Sequence, residues 1–333
     1  MRIDIHSHVI PKTFLNKLKE TPKTLQAQLK GEEEEIFVKH EQGYAYPLLD
    51  EFHKAEAKLE AMDRKGIDIS VISPAPPLFY YWADIDLACE VAESVNDGIA
   101  QFVETKPQRL RGMATLPMQH PDAAIAEMER VVREYGFKAI EIGTSIEGVE
   151  LANKKFRQIL LRAQELGLFV FAHPYYLGEK KGLDQYYLTN LIGNPLDTAE
   201  MVAHLMFSGA LDELKELKIC LAHGGGFAPY QIGRLLHGYK VRNEIDSNSL
   251  TCPIELLKRF YFDSLLFEPK ALRYLIDLVG ADRVCLGTDS PFDMADQDPI
   301  NTLDSVPNLT KHERQEICCG TAMRLLSEGK GTF

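Results

Sequence analysis

The residues able to do chemistry gather at five positions in this chain. His6 and His8 lie two apart near the start, His173 follows Phe-Val-Phe-Ala, His223 precedes Gly-Gly-Gly, and Asp289 sits in Gly-Thr-Asp-Ser-Pro-Phe. Neutral imidazoles and a carboxylate offer nitrogen and oxygen donors of borderline hardness. Such a set suits one divalent ion, Zn2+ first and Mn2+, Fe2+ or Co2+ after it. In an extended strand, residues i and i+2 point the same way, so His6 and His8 can reach the same ion. Three histidines with Asp289 complete a four-donor shell, and the fourth histidine is left to move protons near neutral pH. The other six of the ten histidines, His40, His53, His120, His204, His237 and His312, fall in loops or helices and read as surface or structural.

What could bring residues so far apart in sequence to one point is a repeated strand–helix pattern. Short runs rich in Ile, Val, Leu, Phe and Ala occupy residues 2–6, 69–73, 110–117, 138–144, 168–173, 218–223, 259–266 and 283–290. Continuous apolar runs of this kind fit strands buried on both sides in a parallel sheet. Helical patterns alternate with them at 55–65, 87–104, 122–135, 153–166, 198–217, 229–241, 269–278 and 312–327. Within the third, Ile125, Met128, Val132 and Tyr135 recur at helical spacing and predict one buried face. Eight such units in order predict a single-domain (β/α)8 TIM barrel over 1–333, with an open doubly wound sheet as the competing arrangement. The C-terminal ends of barrel strands converge on one mouth, and the four histidines and Asp289 all fall at or just past such ends.

The longest departure from the pattern is the insertion at residues 11–53, after the first strand. It holds a run of glutamates at 32–35 and the aromatics Phe37, Tyr44 and Tyr46. Loops after barrel strands lie at the mouth, so this one is expected to be an active-site lid, with the glutamate run a solvated turn. Phe79, Tyr80, Tyr81 and Trp82 after the second strand, Tyr175 and Tyr176 after the fifth, and Phe292 after the eighth belong to mouth loops as well. Their flat apolar walls suit an aromatic or conjugated ring, so Trp82, Tyr175 and Phe292 are candidate substrate contacts. Gly224, Gly225 and Gly226 lack the surroundings of a phosphate loop and are expected to let the backbone approach the metal. Thr288 and Ser290 flank Asp289 and are expected to orient it.

Composition narrows the partners. Of 333 residues, 45% are hydrophobic and 26% charged, and the formal net charge is -12. An acidic surface argues against nucleic acid or an anionic membrane as partner. The six cysteines show no CxxC spacing, and Cys220 and Cys285 fall inside apolar runs. Free thiols, no visible signal peptide and no apolar stretch long enough to span a bilayer predict a cytoplasmic protein.

Three motifs carry a family likeness: Asp4-Ile-His-Ser-His8, Leu221-Ala-His-Gly-Gly-Gly226 and Gly287-Thr-Asp-Ser-Pro-Phe292. With them the chain resembles the amidohydrolase superfamily, and within it the decarboxylase branch to which aminocarboxymuconate semialdehyde decarboxylase belongs. The likeness also takes in Thr115-Leu-Pro-Met-Gln119, Gly233-Arg234 and Met323-Arg-Leu-Leu326. It implies that His6, His8, His173 and Asp289 bind one metal ion, usually zinc, that His223 is the acid/base, and that no organic cofactor is used. It also implies that Arg234 reaches into the neighbouring subunit of a homodimer to bind a substrate carboxylate. Two family features are missing: the arginine of the loop after strand one has no counterpart in 44–50, and Asn190 stands near a family tryptophan. The fourth strand carries Lys138 and Glu141 but no lysine at its C-terminal end, so a single-metal site is expected.

These readings converge on non-oxidative decarboxylation of a small aromatic or conjugated unsaturated acid, with Asp289 beside His223 in the chemistry. The competing reading is metal-dependent hydrolysis of an ester, lactone or amide at the same centre, with His223 or Asp289 taking the proton from water.

Overall fold

The computed structural model describes every residue except 32–35, 44, 176–181, 246–250 and 328–333. Eight parallel strands run in chain order: β1 (Ile3–Val9), β2 (Ile69–Pro74), β3 (Leu110–Ala114), β4 (Ala139–Gly143), β5 (Phe169–His173), β6 (Lys218–Leu221), β7 (Tyr261–Asp263) and β8 (Val284–Cys285). Hydrogen bonds from Ile5 N–H to the Leu286 carbonyl (3.0 Å) and from His8 N–H to the Ser290 carbonyl (2.7 Å) join the last strand to the first. The sheet is therefore closed, a TIM barrel rather than an open sheet.

The expected strands are recovered with altered ends. β1 is longer than expected and includes His8, while the seventh and eighth shrink to three and two residues. Beyond Cys285 the chain still bonds to β1, but Asp289 turns to φ +59, which ends the extended ladder. The register of β1 against β2 shifts between Asp4 and Ser7. That irregularity lets Ile3 and Ile5 pack in the lumen floor while His6 and His8 also point inward above them.

Around the strands run α1 (Ala55–Lys65), α2 (Ile85–Glu104), α3 (Pro121–Tyr135), α4 (Lys154–Glu165), α5 (Asn194–Phe207), α6 (Ala228–Val241), α7 (Pro269–Val279) and α8 (Thr321–Leu326). The pattern at 198–217 is not one helix, because Gly209 at φ +76 separates α5 from a short turn at Ala210–Glu213. The pattern at 312–327 is likewise interrupted, by a wider helical turn at Glu316–Gly320. On α3 the fully buried apolar line is Ala124, Met128 and Val131, with Ile125, Val132 and Tyr135 on its flank. The expected stripe is thus rotated by about one residue, because Glu127 is also buried, held by Asn96 (2.6 Å) and Arg130 (2.7 Å).

The insertion is ordered where described. It comprises a helix at Lys12–Glu20, an antiparallel sheet of Ala27–Lys30, Phe37–His40 and Ala45–Pro47, and a helical turn at Asp50–His53. The expected glutamate turn and Tyr44 lie outside the described residues. Among the described residues no helix is long and apolar enough to cross a membrane.

Candidate active site

The barrel brings His6, His8, His173 and Asp289 together, with one donor atom from each lying within 4.8 Å of all the others. All four are buried. Asp289 Oδ1 is 3.3 Å from His6 Nε2 and 3.1 Å from His8 Nε2, and those two nitrogens are 3.1 Å apart.

The partners of the opposite ring nitrogens settle which atoms face the centre. His6 Nδ1 lies 2.6 Å from Asp263 Oδ2, His8 Nδ1 3.0 Å from the Pro74 carbonyl, and His173 Nδ1 2.5 Å from the Pro174 carbonyl. Carboxylates and carbonyls only accept, so each Nδ1 carries the hydrogen, and each ring, when neutral, presents an Nε2 lone pair. Three lone pairs and a carboxylate oxygen aimed at one point repel one another unless a cation lies between them. Among the described residues, His173 Nε2 and Asp289 Oδ1 are buried without a hydrogen-bond partner. Burial works against charge on His6, yet the carboxylates of Asp289 and Asp263 lift it to about 10. Burial lowers His8 to about 4 and, with repulsion from His223, holds His173 well below the usual range. Burial opposes ionisation of Asp289, but His6 and the other imidazoles hold it well below the ordinary carboxylate range. The site thus calls for positive charge among nitrogen and oxygen donors, and these residues fit a single divalent ion.

His223 differs from the other three histidines. Its Nε2 faces Asp289 Oδ2 at 3.6 Å, its side chain is 18% exposed, and its Nδ1 has no hydrogen-bond partner among the described residues. Its Nδ1 is therefore not committed to an acceptor as those of the other three rings are. Both His223 (φ +55) and Asp289 (φ +59) occupy the left-handed region, which costs about 1–2 kcal/mol for a residue with a Cβ. Strain of this kind concentrates where side chains must be aimed.

The glycine run after His223 answers to packing rather than to the metal. A Cβ on Gly224 would lie 2.5 Å from Leu266, and one on Gly226 would run into the backbone of Pro195. Thr288 and Ser290 do anchor the segment around Asp289, but from behind the barrel wall. Thr288 Oγ1 donates to Asp4 Oδ2 (2.8 Å), Lys65 Nζ donates to Ser290 Oγ (2.8 Å), and Lys58 Nζ donates to the carbonyls of His8 and Ser290 (3.1 Å each).

The sequence does not single out Asp263, Lys58 or Lys65. Asp263 closes β7 in Tyr-Phe-Asp, but the apolar run at 259–266 places it inside a strand rather than at its end. Glu141, which faces the lumen on β4 with its carboxylate 3.8 Å from His8 Nδ1, is pushed well above the ordinary range by burial. Lys58 and Lys65 carry no such signal, because buried lysines on a helix look like any solvated face in sequence.

The candidate substrate contacts divide. Phe292 packs edge-on to His8 (5.3 Å between ring centres) and also meets Phe52 (5.1 Å) and Tyr46 (6.2 Å) of the insertion. Tyr175 packs on Tyr81 and Phe79, and its hydroxyl accepts from Glu147 N–H (3.1 Å); Tyr176 lies outside the described residues. Trp82 instead packs on Tyr80, which in turn meets Phe14 and His40 of the insertion. Arg234 is exposed on α6, where no described residue gives it a hydrogen bond or ion pair.

Comparison with known proteins places this geometry in context. The model of the amidohydrolase family matches residues 3–327. A 2-amino-3-carboxymuconate-6-semialdehyde decarboxylase of Dictyostelium discoideum is 32% identical over 98% of this chain and 91% of its own length. A gamma-resorcylate decarboxylase of Polaromonas sp. is 28% identical over 81% of this chain and 86% of its own. Among solved structures, a dihydroxybenzoic acid decarboxylase of Polaromonas sp., crystallised with manganese and 2-nitroresorcinol, superposes with a TM-score of 0.79. The match covers 98% of this chain and 96% of that one at 23% identity, a likeness of fold.

Proposed function

The chain belongs to the amidohydrolase family, and from that premise we infer that it is a metal-dependent non-oxidative decarboxylase. It is a carboxy-lyase acting on a small aromatic or conjugated unsaturated carboxylic acid. The observation that carries the reading is the division among the four mouth histidines: three have Nδ1 committed to an acceptor, and His223 alone does not.

In this reading His6, His8, His173 and Asp289 hold one divalent ion, zinc before manganese, iron or cobalt. The bound ion supplies Lewis-acid polarisation of a substrate oxygen. Phe292 and Tyr175 wall the substrate ring, with Trp82 behind them on the side of the insertion, and residues 11–53 act as the lid of a single barrel domain. As the bond to the carboxylate carbon breaks, carbon dioxide leaves and its electron pair stays on the ring or chain carbon. His223, protonated at Nε2, delivers its proton to that carbon, while the Asp289 carboxylate stabilises the imidazolium beforehand. A substrate able to delocalise the pair needs no organic cofactor. Free thiols at all six cysteines suit the cytoplasm as its location.

The carboxylate-binding cation in this reading is Arg234, reaching from one subunit of an isologous homodimer into the other. It is supported by the exposure of Arg234 and Val241, seven residues apart and so on one face of α6, and by the exposed Tyr186, Leu191, Ile192 and Leu196 nearby in sequence to α5.

The test is carbon dioxide release. Protein loaded with Zn2+ or Mn2+ is incubated with hydroxybenzoates and unsaturated dicarboxylates; gas evolution with loss of one carboxyl group is expected. Cleavage of esters, lactones or amides without carbon dioxide would overturn the reading in favour of hydrolysis. For the interface, Arg234→Ala is mixed with inactive His223→Ala under conditions of subunit exchange. Partial return of activity is expected, and no return despite demonstrated exchange removes Arg234 from the site.

A further inference from the structure

Asp263 is fully buried and accepts hydrogen bonds from four donors: His6 Nδ1 (2.6 Å), His223 N–H (2.9 Å), Gly224 N–H (2.7 Å) and Leu265 N–H (3.2 Å). An ionised carboxylate has about four acceptor positions, so its capacity is filled. Two of the donors hold the backbone at His223, where the left-handed conformation is unfavourable without outside support. A third is the ring of a ligand to the proposed metal. Gly287, two residues past the eighth strand, keeps this space open, since a Cβ there would lie 2.9 Å from Asp263 Cβ and 3.0 Å from His6 Cβ.

We propose that Asp263 is a positioning residue that holds the metal ligand His6 and the proton carrier His223 in fixed register through one carboxylate. Its Oδ2 bonds both the imidazole of His6 and the amide of His223, so neither can shift without straining the other. The His6 contact keeps the hydrogen on Nδ1 and the lone pair on Nε2. The amide contacts keep the His223 ring turned toward Asp289. This inference rests on the roles assigned above to His6 and His223.

Asp263→Asn keeps the volume and removes half the acceptors. On the Oδ1 side its amide would oppose the N–H groups of Gly224 and Leu265, which cannot adapt. On the Oδ2 side it would oppose His6 Nδ1–H, which adapts by moving its hydrogen to Nε2 and so loses its metal-facing lone pair. The apparent affinity of the metal-free protein for Zn2+, read by chelator competition, is therefore expected to fall about 10–100-fold. Amide hydrogen exchange at residues 223–225, measured without metal or substrate, is expected to quicken by about 10-fold, the scale of one lost hydrogen bond. At saturating metal, kcat is expected to stay about 10-fold or more below the parent with KM within about 3-fold.

Unchanged affinity, unchanged exchange, or full recovery of kcat with excess metal would each overturn the coupling. Should Asp263→Asn fail to fold, His6→Ala serves instead, because it frees the shared Oδ2 from one side while the three backbone donors stay in place. There the metal is expected to be lost and exchange at 223–225 to quicken by about 3-fold or more, since the carboxylate has lost its imidazole anchor. Exchange at the parent level in that variant would show that His6 and the His223 backbone are held independently and would overturn the coupling. Affinity and exchange need no substrate, so a failure of carbon dioxide release leaves this test intact.

Discussion

Phe171 and His173 are two residues apart on β5, face the same lumen and are both buried, yet they do opposite work. Phe171 belongs to the floor, among Ile3, Ile5, Val71, Met113, Phe169, Cys220 and Cys285, sealed below by Cys319, Ala322 and Leu325. Every atom there is apolar or a thiol, and dispersion and water exclusion are all it offers. His173, one pleat higher by about 7 Å, has a buried nitrogen with no hydrogen-bond partner among the described residues. Phe171 meets the His6 ring edge-on with 4.9 Å between ring centres, so the packed floor is also the seat on which the polar mouth stands. A single strand thus supplies stability from one side chain and, two residues on, gives up stability to present a free lone pair.

Substitutions at the two levels should separate accordingly. The largest effect is expected from His173→Ala, which removes a donor from the mouth: elemental analysis should find the ion gone and turnover at background, with the fold kept. A full metal complement in that variant would contradict the ligand assignment. Phe171→Ala should do the reverse, losing about 3–5 kcal/mol in denaturant unfolding because a buried ring leaves a cavity, yet still binding about one metal per chain while folded. A loss under about 1 kcal/mol would mean that the floor collapses freely and that the division into levels is wrong. The smallest effect is expected from His223→Ala, which should retain its metal and lose about 100-fold in turnover, or about 2.7 kcal/mol of transition-state stabilisation. Departure of the metal with this residue would make His223 a ligand and merge the two classes of mouth histidine.

The comparison also shows what could be read in advance. Apolar runs interrupted by histidines and by Asp289 were enough for a barrel with a metal at its mouth. A buried parallel strand must be nearly all apolar, so a polar residue at its end stands out. Asp263 escapes that rule, because the apolar run at 259–266 continues past it and only the tertiary structure ends the strand there. The end of the eighth strand was not legible, since it depends on hydrogen bonds to β1, nearly three hundred residues away, and the end of the seventh depends on its short pairings with β6 and β8. The rotated face of α3 was hidden for a related reason, because a glutamate buried against Asn96 and Arg130 looks exposed in sequence.

What the sequence by itself determined is the inventory and its order: eight strand–helix units, four histidines and an aspartate at strand ends, and an insertion after the first strand. Local periodicity and residue type suffice for that, because burial of a strand or a helix face acts over a few neighbouring residues. What only the tertiary structure decided is which histidines are alike. His6, His8 and His173 are separated from His223 by the acceptors at Nδ1, which come from Asp263, from Pro74 and, for His173, from the adjoining Pro174. Two of those acceptors lie on other strands, and the tautomer of a histidine depends on what closes against its far side.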